Sequence, residues 1–107
     1  MNKISTGFLM LITLMFMTGC KSVQKENYSF YVGTYTQKDS KGIYKYEISS
    51  EGELTKTGLV AETVNPTFLV KSKDNKTLFA VGEIDENGTG FVKSFRIEKD
   101  SLQLISK

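Results

Sequence analysis

From Tyr28 to Ile105 the apolar residues fall into seven short runs with the spacing of β-strands. Residues 44–48 alternate cleanly between apolar and polar positions, as a strand with one buried face does. Residues 30–32 and 78–81 are apolar on both faces, which is typical of strands covered on two sides. The seven runs are 28–35, 43–48, 54–60, 68–72, 78–83, 91–97 and 102–105. Because none of them has a convincing helical period, the pattern predicts an all-β body.

The strand pattern repeats along the chain. A shift of 49 positions aligns two sets of strand residues: Phe30, Val32 and Gly33 with Phe79, Val81 and Gly82, and Ile43, Tyr46 and Ile48 with Val92, Phe95 and Ile97. After these strands the register slips by one residue, so that Leu54 aligns with Leu102. Strand-rich repeats of about 40 to 50 residues have the period of β-propeller blades.

A propeller blade is a four-stranded antiparallel sheet, and about four to eight blades close a ring. Residues 28–107 hold fewer than two such periods, so the sequence predicts a propeller fragment of about two blades. Two blades alone would leave apolar sheet faces and strand edges in water. We therefore expect the chain to be the N-terminal part of a longer protein, with a complete small lipoprotein as the alternative.

The first 20 residues differ in composition from the rest, since they contain all four methionines and the single cysteine, Cys20. Lys3 precedes the apolar stretch 8–17, which as a helix would reach only about 15 Å, half of a bilayer's hydrocarbon core. The stretch 17–20, Met-Thr-Gly-Cys, resembles the lipobox of bacterial lipoproteins, although Met17 stands where leucine is usual.

This resemblance predicts a lipoprotein signal peptide in residues 1–19, then a lipidated Cys20 and a flexible tether in 20–27. A diacylglycerol on Cys20 would hold the protein on a membrane surface of the bacterial cell envelope after export. The alternative is an ordinary signal peptide in which Cys20 is incidental.

The charges do not indicate a nucleic-acid partner, because 14 basic residues face 12 acidic ones and the formal charge is only +2. Residues 85–87 lack the spaced ligands and distal glutamate of a calcium loop, so we expect no metal site.

Six motifs in the body resemble the opening of the lactonase family of seven-bladed β-propellers. They lie at 30–36, 42–44, 52–55, 65–69, 77–83 and 92–97. The resemblance implies a hydrolase that opens a lactone ring, with 6-phosphogluconolactone as the best-known substrate and no obligatory metal or cofactor. It implies a small-molecule lactone or sugar-acid derivative as the binding partner. Where the family has a Ser-Pro-Asp-Gly-like hairpin, this chain has Ser-Lys-Asp-Asn at 72–75, and Asn75 suits the left-handed conformation of such a turn.

Lactone hydrolysis needs a base for the water, donors for the oxyanion and, with a phosphorylated sugar acid, cations for the phosphate. The chain has no histidine and a single arginine, Arg96. The resemblance implies His, Arg and Glu side chains around the central channel, most of them in later blades. We therefore expect this chain to be inactive alone. A non-catalytic, lipid-anchored envelope propeller that binds a ligand or protein is the alternative.

Glu83 is the candidate catalytic residue, because it follows a strand where the first repeat has Thr34, and the family often has glutamate here. The alternative is a solvated strand end.

Arg96 and Glu47 match across the repeat, and surface structural roles are favoured for both. For Gly33 and Gly82 we favour tight packing over an approach to the propeller axis. An aromatic set is assigned to the core rather than to a sugar-stacking platform: Tyr31, Tyr35, Tyr44, Tyr46, Phe79 and Phe95.

Overall fold

The computed structural model describes residues 19–20, 22, 25–84 and 87–107. All regular structure in this part of the chain is β. The strands are β1 (Tyr28–Gly33), β2 (Gly42–Ile48), β3 (Leu54–Glu62), β4 (Phe68–Lys71), β5 (Thr77–Gly82), β6 (Phe91–Ile97) and β7 (Leu102–Ser106). Each of the seven predicted runs is a strand, and its bounds agree with the prediction to within two residues.

The strands form two antiparallel sheets in which chain neighbours are also sheet neighbours. The first sheet has the order β1-β2-β3, and the second has the order β4-β5-β6-β7. Every pair in both sheets is antiparallel. The second sheet therefore has the four antiparallel strands that the repeat predicted for a blade, and the first sheet has three.

The two sheets pack face to face around one core. β1 lies against β4 and β3 against β7. Both sheets contribute to the buried cluster, which consists of Ile43 and Val60 from the first and Leu78, Ala80, Phe95 and Leu102 from the second. Because the core lies between the sheets, each sheet depends on the other for the burial of its inner face.

The outward faces of the two sheets remain exposed, and this corrects part of the core prediction. Phe95 is 3% exposed, as predicted, but Phe79 is 37% exposed and Tyr35 is 63% exposed. Phe79 lies on β5 between the buried Leu78 and Ala80, so the alternation of the strand turns its ring away from the first sheet. The core assignment is wrong for Tyr35 and Phe79. It is also wrong for Tyr44 and Tyr46, which are half-buried on the outward face of the first sheet and lie outside the buried cluster.

The repeat is present in the fold, but a single shift does not serve both strand pairs. Gly33 pairs with Ile43, whereas Gly82 pairs with Phe91, one residue before the position that aligns with Ile43. The two sheets have the same orientation, as neighbouring blades of a propeller do. The inward face of the first sheet is therefore equivalent to the outward face of the second sheet. Tyr31, on the inward face, therefore corresponds to Phe79, and β1 aligns with β5 one residue closer than predicted.

The turn between β4 and β5 has the conformation that its sequence predicts. Asn75 has a φ of 58°, in the left-handed region that asparagine tolerates. The Asp74 carboxylate accepts a hydrogen bond from the Lys76 N–H at 3.0 Å, and the Ser72 hydroxyl also donates to it. These bonds, with the Ser72 hydroxyl contributing most, lower the pKa of Asp74.

Candidate functional site

Three connecting segments meet at the same end of both sheets. They are the β1–β2 connector (34–41), the β3–β4 connector (63–67) and the β5–β6 connector (83–90). The turns 49–53, 72–76 and 98–101 lie at the opposite end. Because binding and catalytic residues lie on loops more often than on strands, the connector end is the candidate functional region.

Asn65 joins the three connectors through its side chain and backbone. Its Oδ1 accepts a hydrogen bond from the Thr36 N–H at 2.8 Å, and its own N–H donates to Thr36 Oγ1 at 3.1 Å. Its Nδ2 donates to the Ile84 carbonyl oxygen at 3.5 Å. Asn65 has a φ of 44°, which a short polar side chain tolerates better than most. The sequence motif at 65–69 contained this residue, but strand patterns alone gave no reason to single it out.

The two repeat glycines lie where neighbouring groups at the connector end leave no room for a side chain. A Cβ on Gly33 would lie 1.9 Å from the carbonyl oxygen of the fully buried Pro66. A Cβ on Gly82 would lie 2.2 Å from the Phe91 ring. Each glycine is thus required by its neighbours' packing, and the packing interpretation of both residues is confirmed.

A cleft of about 480 Å³ opens between the sheets at the connector end. We call it the connector cleft, and its lining residues are Thr36, Lys38, Ser40, Lys41, Glu62, Thr63, Val64 and Lys93. The buried Thr63 lies at its base, where Oγ1 accepts a hydrogen bond from Lys93 Nζ at 2.7 Å. The Thr63 N–H donates to the Lys41 carbonyl oxygen at 3.1 Å. These bonds tie β6 of the second sheet to two connectors.

The charges of the connector cleft favour anions over cations. Three lysines and one glutamate line it, together with hydroxyl groups that can donate hydrogen bonds. Lys93 is held in place, since its Nζ lies 4.9 Å from the centroid of the Phe91 ring as well as on Thr63. The cleft can therefore hold a carboxylate or phosphate, but Glu62 is the one carboxylate that it offers as a general base.

Glu83 lies at the connector end but outside the cleft. It follows β5 directly and is exposed. Its carboxylate is not part of the cleft lining, so its catalytic role stays a prediction. With the corrected register Glu83 corresponds to Tyr35, which is also exposed, rather than to Thr34. No group of three or more His, Cys, Asp or Glu residues in the described ranges could hold a metal ion.

Arg96 and Glu47 lie on different sheets. Arg96 Nη1 donates to Gln103 Oε1 on the neighbouring strand β7 at 3.2 Å, in an exposed position. Glu47 pairs with Ser29 on β1 and with Thr55 on β3. Arg96 thus makes the surface contact favoured for it, and the structure brings neither residue to the connector cleft.

Cys20 is an exposed free thiol in a segment without regular structure. Lys25, in the predicted tether, forms an ion pair with Glu51 at 2.7 Å, and the Lys25 ammonium group is the main cause of the lowered pKa of Glu51. The predicted signal sequence falls mostly on residues 1–18, which lie outside the described residues. The described ranges hold no helix with the length and apolar character of a membrane span.

Known proteins resemble this chain in sequence and in structure. The family described as Lactonase, 7-bladed beta-propeller matches residues 29–107. The 6-phosphogluconolactonase of Bacillus subtilis is 38% identical over 78 residues, which are 72% of this chain and 22% of the relative. A periplasmic gluconolactonase of Pseudomonas aeruginosa superposes with a TM-score of 0.66 at 34% identity, over 75% of this chain and 24% of the other.

A Lactobacillus plantarum protein of known structure also superposes, with a TM-score of 0.64 and 31% identity over 77% of this chain and 23% of the other. The chain thus spans less than a quarter of the length of these relatives. The family match covers β1 to β7 without interruption, apart from the first residue of β1. This chain belongs to the lactonase family of seven-bladed β-propellers.

Proposed function

We propose that this chain supplies two adjacent blades of a lactonase that hydrolyses a sugar-acid lactone. The observation that carries the proposal is the family match over 29–107, which spans both sheets and the connectors between them. Two relatives are a 6-phosphogluconolactonase and a periplasmic gluconolactonase, and both names refer to lactones of sugar acids. The cationic connector cleft agrees with the carboxylate of the sugar acid that opening of the lactone ring releases.

The two blades do not contain a complete catalytic site in this proposal. A water nucleophile needs a base, and the developing oxyanion needs donors at hydrogen-bond distance. The sequence offers no histidine, and its single arginine, Arg96, binds Gln103 away from the cleft. Glu83 would act with groups from other blades of the ring. The chain alone is therefore inactive.

Hydrolysis of 6-phosphogluconolactone and of glucono-δ-lactone by the purified full chain tests this proposal. Both rates are expected to equal the uncatalysed rate in buffer, because the chain has no histidine and its single arginine, Arg96, lies away from the cleft. The Bacillus subtilis relative serves as the positive control. Saturable turnover of either lactone by this chain, lost in Glu83→Gln, would show that two blades suffice and would contradict the proposed division of the site.

We further propose that the protein acts in the cell envelope, anchored by a lipid on Cys20. The exposed thiol, the 17–20 motif and the periplasmic relative support this location. Phosphorylated sugar acids belong to cytoplasmic metabolism, so an envelope location favours an unphosphorylated lactone or a related sugar-acid derivative. This is the reason for assaying glucono-δ-lactone beside the phosphorylated substrate.

A binding scaffold is the second candidate function. The connector cleft favours it, because three lysines and several hydroxyls surround a space with a single carboxylate. Such a cleft binds an anion without transforming it. The test uses the complete propeller ring that contains these two blades. If the ring binds 6-phosphogluconate and its channel lacks a base, the scaffold is supported. If the ring hydrolyses a lactone, the hydrolase is supported.

A further inference from the structure

Both walls of the connector cleft come from this chain. Lys38, Ser40 and Lys41 belong to the β1–β2 connector, Thr63 begins the β3–β4 connector, and Lys93 lies on β6. The volume of about 480 Å³ falls in the range of about 300 to 1,000 Å³ that small-molecule sites have. A ligand of the size of a monosaccharide therefore fits between the two sheets at this end.

One ammonium group of the connector cleft is held by buried neighbours. Lys93 Nζ donates a hydrogen bond to Thr63 Oγ1 at 2.7 Å, and Thr63 is only 6% exposed. The same Nζ lies 4.9 Å from the centroid of the ring of Phe91, which is also buried. Because folding has already restricted this side chain, an anion that binds beside it has less side-chain ordering to pay for. Lys93 thus supplies a preorganised positive charge.

Two exposed lysines add to this charge. Neither Lys38 nor Lys41 forms an ion pair with a carboxylate in the described part of the chain. The lining therefore has three ammonium groups and one carboxylate, which belongs to Glu62. Such an excess of positive charge in a concave space attracts an anionic group.

The other polar groups of the lining fit a ligand that also has hydroxyl groups. The Glu62 carboxylate can only accept hydrogen bonds, and it repels a bare phosphate or carboxylate placed beside it. It can accept hydrogen bonds from hydroxyls, and Ser40 Oγ can donate or accept them. A polyhydroxy acid has both parts, a carboxylate for the lysines and hydroxyls for Glu62 and Ser40. The mixed lining therefore favours a polyhydroxy acid over a bare anion.

Opening of a lactone creates the charge that this lining attracts. The lactone of an unphosphorylated sugar acid is neutral. When water attacks its carbonyl carbon, a new C–O bond forms, the ring C–O bond breaks, and a carboxylate, a hydroxyl and a proton result. Only the open acid thus has a group for the three lysines. Glu83, the candidate catalytic residue, does not line the cleft.

We propose that the connector cleft is a binding site for the ring-opened, ionised sugar acid, separate from the position at which the lactone is opened. The choice of a sugar acid rests on the proposed function, whereas the location and the preference for an anion with hydroxyls rest on the lining residues. The lysines bind the carboxylate, and Glu62 and Ser40 bind the hydroxyls. The neutral lactone is a weaker ligand of the same cleft.

Amide chemical-shift titrations of the isotope-labelled full chain in a mild non-ionic detergent test the proposal. Gluconate is expected to shift the amide signals of Lys41, Thr63 and Val64 in a saturable way. Acetate lacks the hydroxyls and sorbitol lacks the charge, so each is expected to bind at least about tenfold more weakly than gluconate. Inorganic phosphate is expected to bind more weakly than gluconate, because Glu62 repels it without the gain from hydroxyls.

Variants of the exposed lysines assign the binding to the cleft. Lys38→Gln with Lys41→Gln removes two of the three positive charges and is expected to weaken gluconate binding by about tenfold or more. The matched control, Lys73→Gln with Lys99→Gln, removes the same charge from exposed turns at the opposite end. Its affinity is expected to change by less than about twofold, because solvent and salt screen distant exposed charges.

Three results would overturn the proposal: no saturable shift with gluconate, binding of acetate or inorganic phosphate as tight as that of gluconate, or equal weakening in the cleft variant and the control. None of these measurements involves turnover, so they are independent of the hydrolase assay. If gluconate bound the cleft but the complete ring failed to hydrolyse lactones, the hydrolase would be refuted and the binding site would stand. If the ring hydrolysed lactones but gluconate did not bind the cleft, only this inference would fail.

Discussion

Replacing Gly33 with alanine is expected to destabilise the contact between the two sheets by about 3 kcal/mol, at the upper end of the usual cost of overpacking. The new Cβ would lie 1.9 Å from the Pro66 carbonyl oxygen and 3.3 Å from the Leu69 side chain. That oxygen cannot turn aside easily, because Pro66 is fully buried and the preceding Asn65 is hydrogen-bonded to Thr36. Urea denaturation followed by circular dichroism measures the loss in the free energy of unfolding.

Gly90→Ala is the control for this prediction. A Cβ on Gly90 would have the Glu83 carbonyl oxygen as its nearest neighbour at 3.2 Å, in an exposed connector that has room to adjust. Its free energy of unfolding is expected to change by less than about 1 kcal/mol. Equal losses in the two variants would mean that the sheets do not meet at Gly33 as described.

Replacing Cys20 with serine is expected to release the protein from membranes. A thioether-linked diacylglycerol brings two acyl chains, each CH₂ of which contributes about 0.8 kcal/mol on entering the bilayer, so the two chains together anchor the protein stably. Serine cannot form the thioether. Incorporation of radiolabelled palmitate should fall to background, and the chain should move from the membrane fraction to the soluble fraction.

A variant with its thiol at another position distinguishes lipidation at the lipobox-like motif from membrane binding by another segment. Cys20→Ser combined with Ser22→Cys keeps one thiol but moves it two positions from the lipobox-like sequence. This double variant is expected to behave like Cys20→Ser. If either variant stayed in the membrane fraction without label, the lipid assignment would be wrong and another segment would hold the protein there.

The strands could be predicted from the sequence because their pattern is local. Apolar runs separated by turn residues located β1 to β7, and the side chain of Asn75 indicated a left-handed turn that the structure contains. The antiparallel pairing of the strands followed as well, since the repeat indicated propeller blades, which are antiparallel sheets. The family resemblance, carried by six motifs, is confirmed by the match over 29–107.

The packing between the sheets could not be predicted from the same pattern. Alternation divides a strand into two faces but does not say which face meets another sheet, so Phe79 was assigned to the core although it points outward. The one-residue difference between β1 and β5 has the same origin, because both alignments match apolar residues equally well.

The connector end was harder to predict than the strands. Asn65 contacts Thr36 and Ile84, which are distant in sequence, and only the folded chain shows that the three connectors meet there. The lysines of the connector cleft are also spread along the chain, so no local motif marks them. Glu83, by contrast, is predicted from its place after a strand of the repeat and from the family resemblance. The corrected register aligns it with Tyr35, and its role in catalysis stays a prediction.

Methyl–methyl nuclear Overhauser effects within the folded chain test most directly the claim that two successive sheets share one core. With methyl-labelled full chain, cross-peaks should connect Ile43 and Val60 of the first sheet with Leu78, Ala80 and Leu102 of the second. Dilution with unlabelled chain should leave these cross-peaks in place if they arise within one molecule. Methyl contacts confined to β1–β3 on one side and β4–β7 on the other would contradict the two-blade account.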